Sequence, residues 1–157
     1  MNKQEGGERA TIDYAKAAPE AIETLVRLTA QINHSTLEQP LLELIRTRAS
    51  QLNGCAYCVD MHTKDARRAG ESEQRLYALT AWRETPFFSP RERAALEWAE
   101  AVTLIASGSV AGALVQRTRE HFTEEELVYL TLAVVAINGW NRLAVPFRTP
   151  AGSYEPS

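Results

Sequence analysis

No window of this chain shows sustained alternation of polar and apolar residues, the period-two pattern that a half-buried β-strand requires. That absence constrains the fold more than any other feature. Apolar positions recur instead at three- and four-residue spacing, which predicts helices near 13–31, 37–53, 55–69, 72–83, 89–107, 111–121 and 123–145. Start signals support the pattern: Ser89-Pro90-Arg91-Glu92 is a capping box with proline at the first helical position, and Thr123 with Glu126 forms another. Gly54 and Gly70 stand where helices stop. The expectation is an all-α fold.

At 157 residues and 45% hydrophobic content, the chain can bury one real core, and no linker or repeat divides it. A helical domain is expected over 10–147, with a disordered N-terminus at 1–9 and a flexible tail at 148–157. A net charge of −3 and the lack of a basic stripe argue against nucleic acid as a partner. The longest apolar run, "LVYLTLAVVAI" from Leu127 to Ile137, is short for a bilayer and suits a buried helix, so no membrane partner is expected. Being apolar around its whole circumference, that run also predicts a homo-oligomer. Met1 to Ala10 lack the apolar core of a secretory leader. With only two cysteines, the chain fits a reducing cytoplasm, where a Cys-x-x-Cys pair is more often redox-active than a staple.

Both cysteines and one of three histidines fall within "GCAYCVDMH", residues 54–62. Stepping about 100° per residue places Cys55, Cys58 and His62 on one face with Val59 and Ala66, while Asp60, Lys64, Arg67 and Arg68 lie opposite. The reactive face is therefore the inward one. Cys55 and Cys58 lie near a helix start, where unpaired N–H groups favour a thiolate. His62 lies one turn beyond Cys58 and can accept its proton; Cys55 can then close a disulfide onto an oxidised Cys58. Helix position favours Cys55 as the lower-pKa thiol, whereas proximity to His62 favours Cys58 as the attacking one. A c-type haem is excluded because Val59 stands where its histidine would be. Structural zinc normally takes four ligands and only three candidates share this helix. Inert core thiols remain the bland alternative. No metal and no cofactor are expected.

Other reactive-looking residues read as structural. His34 lies between helices and His121 at a helix end. Trp82, Trp98 and Trp140 read as packing. Glu92, Glu97 and Glu100 read as exposed helix charges, and Glu124 to Glu126 as charges at a helix start.

The stretch from Glu43 to Gly70, "ELIRTRASQLNGCAYCVDMHTKDARRAG", carries a Glu twelve residues before the Cys-x-x-Cys pair and a His four after its second Cys. It closely resembles the core motif of the AhpD-like alkylhydroperoxidases of the carboxymuconolactone decarboxylase superfamily. "INGWNRLAV", from Ile137 to Val145, resembles the last helix of the peroxidase-related branch. The resemblance implies an oligomerising helical bundle, trimeric or hexameric. It implies a thiol peroxidase in which Cys58 attacks peroxide, Cys55 resolves, and His62 and Glu43 relay protons. The oxidised pair would be restored by a dithiol reductant such as a lipoyl protein. A redox-sensing or scaffold subunit with the same reactive pair is the alternative; a decarboxylase ranks below both, because that branch lacks the cysteines. Periodicity alone reads Glu43 differently, as a solvated side chain beside Arg46, off the apolar stripe of Leu41, Leu42, Ile45, Ala49 and Leu52. One position departs from the family pattern: Tyr57 stands where a second histidine precedes the attacking cysteine, and a phenol does not exchange protons near neutrality.

Overall fold

The computed structural model describes residues 11–108 and 110–156; the expected disorder of 1–9 lies outside the described residues. Among the described residues there are eight α-helices and no strand: α1 (Tyr14–Ala17), α2 (Pro19–Asn33), α3 (Gln39–Leu52), α4 (Ala56–Arg68), α5 (Glu73–Ala78), α6 (Pro90–Thr103), α7 (Gly112–Arg119) and α8 (Glu124–Ala144). The all-α expectation holds.

α3 is the central element, packed against α4, α6 and α8 at once. Its residues from Leu41 to Thr47 are all buried, together with Ala49 and Ser50. A helix surrounded on every side has no solvent face. Leu41, Leu42 and Ile45 join the main core with Trp98 of α6 and Leu130 and Val134 of α8. On the other side, Glu43, Thr47 and Ser50 form a second stripe at i, i+4 and i+7, and small Thr47 and Ser50 let a second helix approach.

α8 begins with the expected capping box: the Glu126 N–H donates to Thr123 Oγ1 at 3.2 Å, and the Thr123 N–H donates to Glu126 Oε2 at 2.8 Å. Its 21 residues extend well past the apolar run, and by length and composition the helix could cross a membrane. Here it packs through the bundle against α2, α3, α4 and α6. One stripe stays outside, with Val128 and Val135 more than half exposed.

Three boundaries differ from expectation. Helix 13–31 is broken at Ala18 (φ −141°, ψ 62°), because the residue before Pro19 cannot remain helical. Helix 72–83 tightens into a 3₁₀ turn at Leu79–Glu84, and Leu76, Leu79 and Trp82, three residues apart, turn inward together. Helix 89–107 stops at Thr103, with a 3₁₀ turn at Ile105–Ser107.

The tail expected to be flexible follows α4. The Gly152 N–H donates to Asp60 (3.0 Å), Lys64 Nζ donates to the Tyr154 carbonyl (2.8 Å), and the Tyr154 hydroxyl donates to Asp65 (2.8 Å). The polar face of α4, opposite the cysteines, supplies the hydrogen-bond partners of this segment.

Candidate active site

α3 ends in a Schellman turn. The Cys55 N–H donates to the Ser50 carbonyl (3.0 Å) and the Gly54 N–H to the Gln51 carbonyl (3.2 Å), with Gly54 at φ 66°. A side chain at Gly54 would meet no neighbour, so its requirement is the left-handed backbone. This turn delivers Cys55 directly into the N-cap position of α4, where its Sγ accepts the Cys58 N–H at 3.4 Å. Cys55 and Cys58 are both free thiols, each 1% exposed, packed with Ala49, Ile137 and Ala144.

The two sulfurs influence each other's ionisation in opposite directions. A hydrogen bond from the Cys58 thiol lowers Cys55 to about 7; burial opposes it, and the Cys58 and Tyr57 backbone N–H groups and the Asn141 amide reinforce it. The same hydrogen bond, together with burial and the Cys55 charge, pushes Cys58 upward. The direction is downward for Cys55, the thiol at the helix N-cap, and upward for Cys58.

His62, 7% exposed, lies across from α3 with its Nδ1 2.8 Å from Glu43 Oε2. Glu43 is buried, contrary to the periodicity reading: it lies off the apolar stripe of α3, and α4 covers that side. Its other oxygen accepts from Arg46 Nη1 at 2.8 Å, and Arg46 Nη2 donates to Asn33 Oδ1 at 2.5 Å. Burial raises the Glu43 pKa, but His62 and Arg46 outweigh it and hold the carboxyl below its ordinary range. A carboxylate at Nδ1 fixes the proton there and leaves Nε2 as the basic nitrogen.

Cys58 and His62 open onto one cavity of about 370 Å³, walled largely by apolar side chains that include Val26, Met61, Ile137 and Trp140. Cys55 borders a smaller one of about 170 Å³, with Gly54, Tyr57, Ala144 and Arg148. All four expected site residues thus meet in one place, and Cys58 with His62 faces the roomier side. Ligand atoms of Glu43, His62 and Asp65 lie within 4.8 Å of one another. Arg46 is ion-paired to Glu43 there and Tyr154 bonds Asp65, so an added cation would face a fixed positive charge and compete for occupied oxygens. Burial and the bond to Asp65 push the Tyr154 phenol up to about 12.

Several site residues were not evident from sequence. Arg46 read as the exposed partner of a solvated Glu, yet it is 5% exposed and lines the cavity. Trp140 read as packing; it lines the cavity, with its Nε1 donating to Thr29 Oγ1 at 3.1 Å. Tyr14, Met61 and Asn141 carried no signal of their own beyond the "INGWN" run that holds Asn141. The structural readings of His34, exposed at the end of α2, and of Trp82 and Trp98, buried in the core, hold. Glu92 and Glu100 are not free surface charges: Glu92 bonds Arg75 at 2.5 Å, and Glu100 accepts from Arg48, Trp82 and Arg83 with its side chain 12% exposed.

Residues 19–101 match the model of a family described as the carboxymuconolactone decarboxylase family. The uncharacterised protein YdfG of Bacillus subtilis (strain 168) is 45% identical over 142 residues, 90% of this chain and 97% of its own length. A crystal structure from Agrobacterium tumefaciens, of a protein of unknown function assigned provisionally to antioxidant defence as AhpD, superposes with a TM-score of 0.89. It is 44% identical, covering 93% of this chain and 100% of that one. A peroxidase-related protein from Ralstonia eutropha JMP134, described as an AhpD core, is 21% identical with a TM-score of 0.79, over 89% of this chain and 75% of that one, and shares the fold.

Proposed function

Because the chain belongs to the carboxymuconolactone decarboxylase family, as an AhpD-like member, and sets one sulfur of a buried dithiol beside an imidazole on a cavity wall, we propose that it is a thiol-dependent peroxidase. One observation carries the reading: Cys58 shares the cavity wall with His62, whose Nδ1 is tied to buried Glu43. His62 Nε2 takes the Cys58 proton as Cys58 attacks the outer oxygen of a hydroperoxide. The O–O bond breaks, Cys58 becomes a sulfenic acid, and the departing alkoxide takes the proton back to leave as an alcohol. Cys55, the sulfur ionised near neutrality, then attacks Cys58 and expels hydroxide, which is protonated to water. A dithiol reductant, such as a lipoyl protein, reduces the disulfide and is itself oxidised. The substrate is hydrogen peroxide or an organic hydroperoxide, and the setting is a reducing cytoplasm.

The test is steady-state consumption of hydrogen peroxide and cumene hydroperoxide with several dithiol reductants. Wild type should turn over, and peroxide should remove two hydrogens from one peptide. Cys58→Ser should fall to background, while Cys55→Ser should accumulate trapped sulfenic acid at Cys58. Labelling of Cys55 in the Cys58→Ser variant would reverse the two roles. Absent turnover with intact disulfide formation would instead favour a redox sensor, a reading that Tyr57 in place of a second histidine supports. The outward Val128 and Val135 stripe of α8 supports a homo-trimer or homo-hexamer. A monomeric mass by light scattering at micromolar concentration would overturn that assembly.

A further inference from the structure

Asn141, 1% exposed, lies on α8 between Ile137 and Ala144, one turn from each, and these two residues pack against Cys55 and Cys58. A buried amide can present either its oxygen or its NH₂ to a sulfur, with opposite consequences for a thiolate. Which one it presents is settled by a chain of bonds that begins at the surface. Arg142 has only donors, and its Nη1 lies 2.7 Å from Asn138 Oδ1. Asn138 Nδ2 therefore points the other way, donating to the Val134 carbonyl (2.8 Å) and Thr103 Oγ1 (3.0 Å). Asn138 Oδ1 also accepts from Asn53 Nδ2 at 3.0 Å, and the same Nδ2 donates to Asn141 Oδ1 at 2.8 Å. With its oxygen committed, Asn141 turns its NH₂ inward. One hydrogen goes to Ser50 Oγ at 3.1 Å. The other is left for the cysteines.

The geometry points to Asn141 as a further catalytic residue, a neutral donor to the sulfur of the Cys55/Cys58 pair whose orientation is enforced through Asn138 and Asn53 by Arg142. The sense of the effect agrees with this placement, since Asn141 lowers the pKa of both thiols. The remaining titratable and charged groups around the pair are Tyr57 and His62 on α4, Glu43 and Arg46 of α3 beyond His62, Tyr14 across the cavity, and Arg148 after α8. None of them is a neutral donor aimed at sulfur by a fixed hydrogen-bond chain. The same donor acts again when the disulfide is opened, because it stabilises whichever sulfur leaves as thiolate, and lower-pKa thiols leave faster.

This inference rests on the pair being a reactive dithiol, as the peroxidase reading also requires, but its readout is ionisation rather than turnover. The pH dependence of iodoacetamide alkylation of the reduced protein gives the midpoint of the first thiol ionisation. In wild type that midpoint is expected near 7. Asn141→Ala should raise it by about one unit, making alkylation at pH 6 roughly tenfold slower. Asn141→Asp, the same shape with a carboxylate facing sulfur, should raise it further. Thr103→Val removes a partner of Asn138 without altering what faces the sulfurs, so it should lower thermal stability and leave the midpoint in place. If the Asn141 variants do not fold, the wild-type protein still decides: the side-chain amide signals of Asn141 in a ¹⁵N spectrum should shift with the same midpoint as alkylation. Folded Asn141 variants with alkylation at pH 6 within twofold of wild type would overturn the role, as would amide signals that ignore the thiol titration. A peroxidase assay that fails while these shifts appear would sink the peroxidase reading alone.

Discussion

Glu43 on α3 and Glu100 on α6 are both enclosed in this fold, with side chains 9% and 12% exposed, and both hold their carboxyls below the ordinary range. Their neighbourhoods differ in kind. Glu100 is saturated by donors that do not titrate near neutrality: Arg48 Nε at 2.7 Å, Trp82 Nε1 at 2.9 Å and Arg83 Nη1 at 2.5 Å. It ties α3, α6 and the 3₁₀ turn at Leu79–Glu84 together, and it lines neither cavity beside the cysteines. Glu43 has one fixed partner, Arg46, and one titratable partner, His62, whose far side opens onto the cavity beside Cys58. Two carboxylates of similar burial thus divide into one held only by fixed donors and one joined to an imidazole at a cavity. Burial alone does not mark a functional acid; a titratable partner that reaches a cavity does.

The largest effects expected are those that break the relay. His62→Ala and Glu43→Gln should each slow peroxide oxidation of Cys58 by about 10²–10⁴-fold, the usual worth of positioned acid–base help. Stopped-flow oxidation of the reduced protein checks this, with circular dichroism confirming the fold. A change under threefold in both variants would place Glu43 in the same class as Glu100.

The reciprocal test is Glu100→Gln, where the loss should fall on stability. Weakening bonds to two guanidinium groups should cost about 2 kcal/mol, a fall in Tm of roughly 4–8 °C, with the oxidation rate unchanged within threefold. Burial raises the Glu100 pKa but Trp82, Arg83 and Arg48 outweigh it, so its net shift is downward. A depressed carboxyl contributes stability that is present above its unfolded value and lost as pH falls through its folded one. The stability of wild type should therefore drop more steeply than that of Glu100→Gln below pH 4.5. A rate loss in this variant comparable to that of Glu43→Gln would erase the contrast.

The two acids also mark how far the sequence is legible. Cys55, Cys58 and His62 could be placed on one inward face because helical periodicity is a local property, and α4 keeps it. Capping boxes at Ser89 and Thr123 were legible for the same reason, since each is closed within four residues. Burial of Glu43 and Glu100 is not local. Each lies off the apolar stripe of its own helix and is enclosed only when a second element arrives: α4 over Glu43, and the Leu79–Glu84 turn with Arg48 over Glu100. Only the resemblance to the AhpD-like motif singled out Glu43, and nothing comparable reached Glu100. Asn141 was hidden in another way, because one amide on a long apolar helix has no spacing that announces its partners. The course of 149–156 along α4 was likewise set by Asp60, Lys64 and Asp65, whose charges alone look like those of any solvated face.

The smallest expected effect concerns Tyr57, which borders both cavities and stands next to Cys58. Burial is the first cause of its raised phenol pKa, followed by the negative charges of neighbours that include Cys58 and Cys55, so it stays protonated where Cys55 ionises. It can neither take the Cys58 proton nor return one at neutral pH. Tyr57→His would add a group with an ordinary pKa of about 6.5, able to hold a proton for the departing alkoxide. Because the proposed mechanism already has one oriented base in His62 and Glu43, a second imidazole without such an anchor should add little, about two- to fivefold in the oxidation rate relative to Tyr57→Phe, or under 1 kcal/mol of barrier. The comparison with phenylalanine separates proton exchange from the changed volume of the cavity wall. A gain of a hundredfold would mean that proton return, rather than the Glu43-anchored base, limits the wild-type reaction, and the relay would then be the lesser half of the site. Equal rates for the histidine and phenylalanine variants would leave His62 as sufficient for both proton steps.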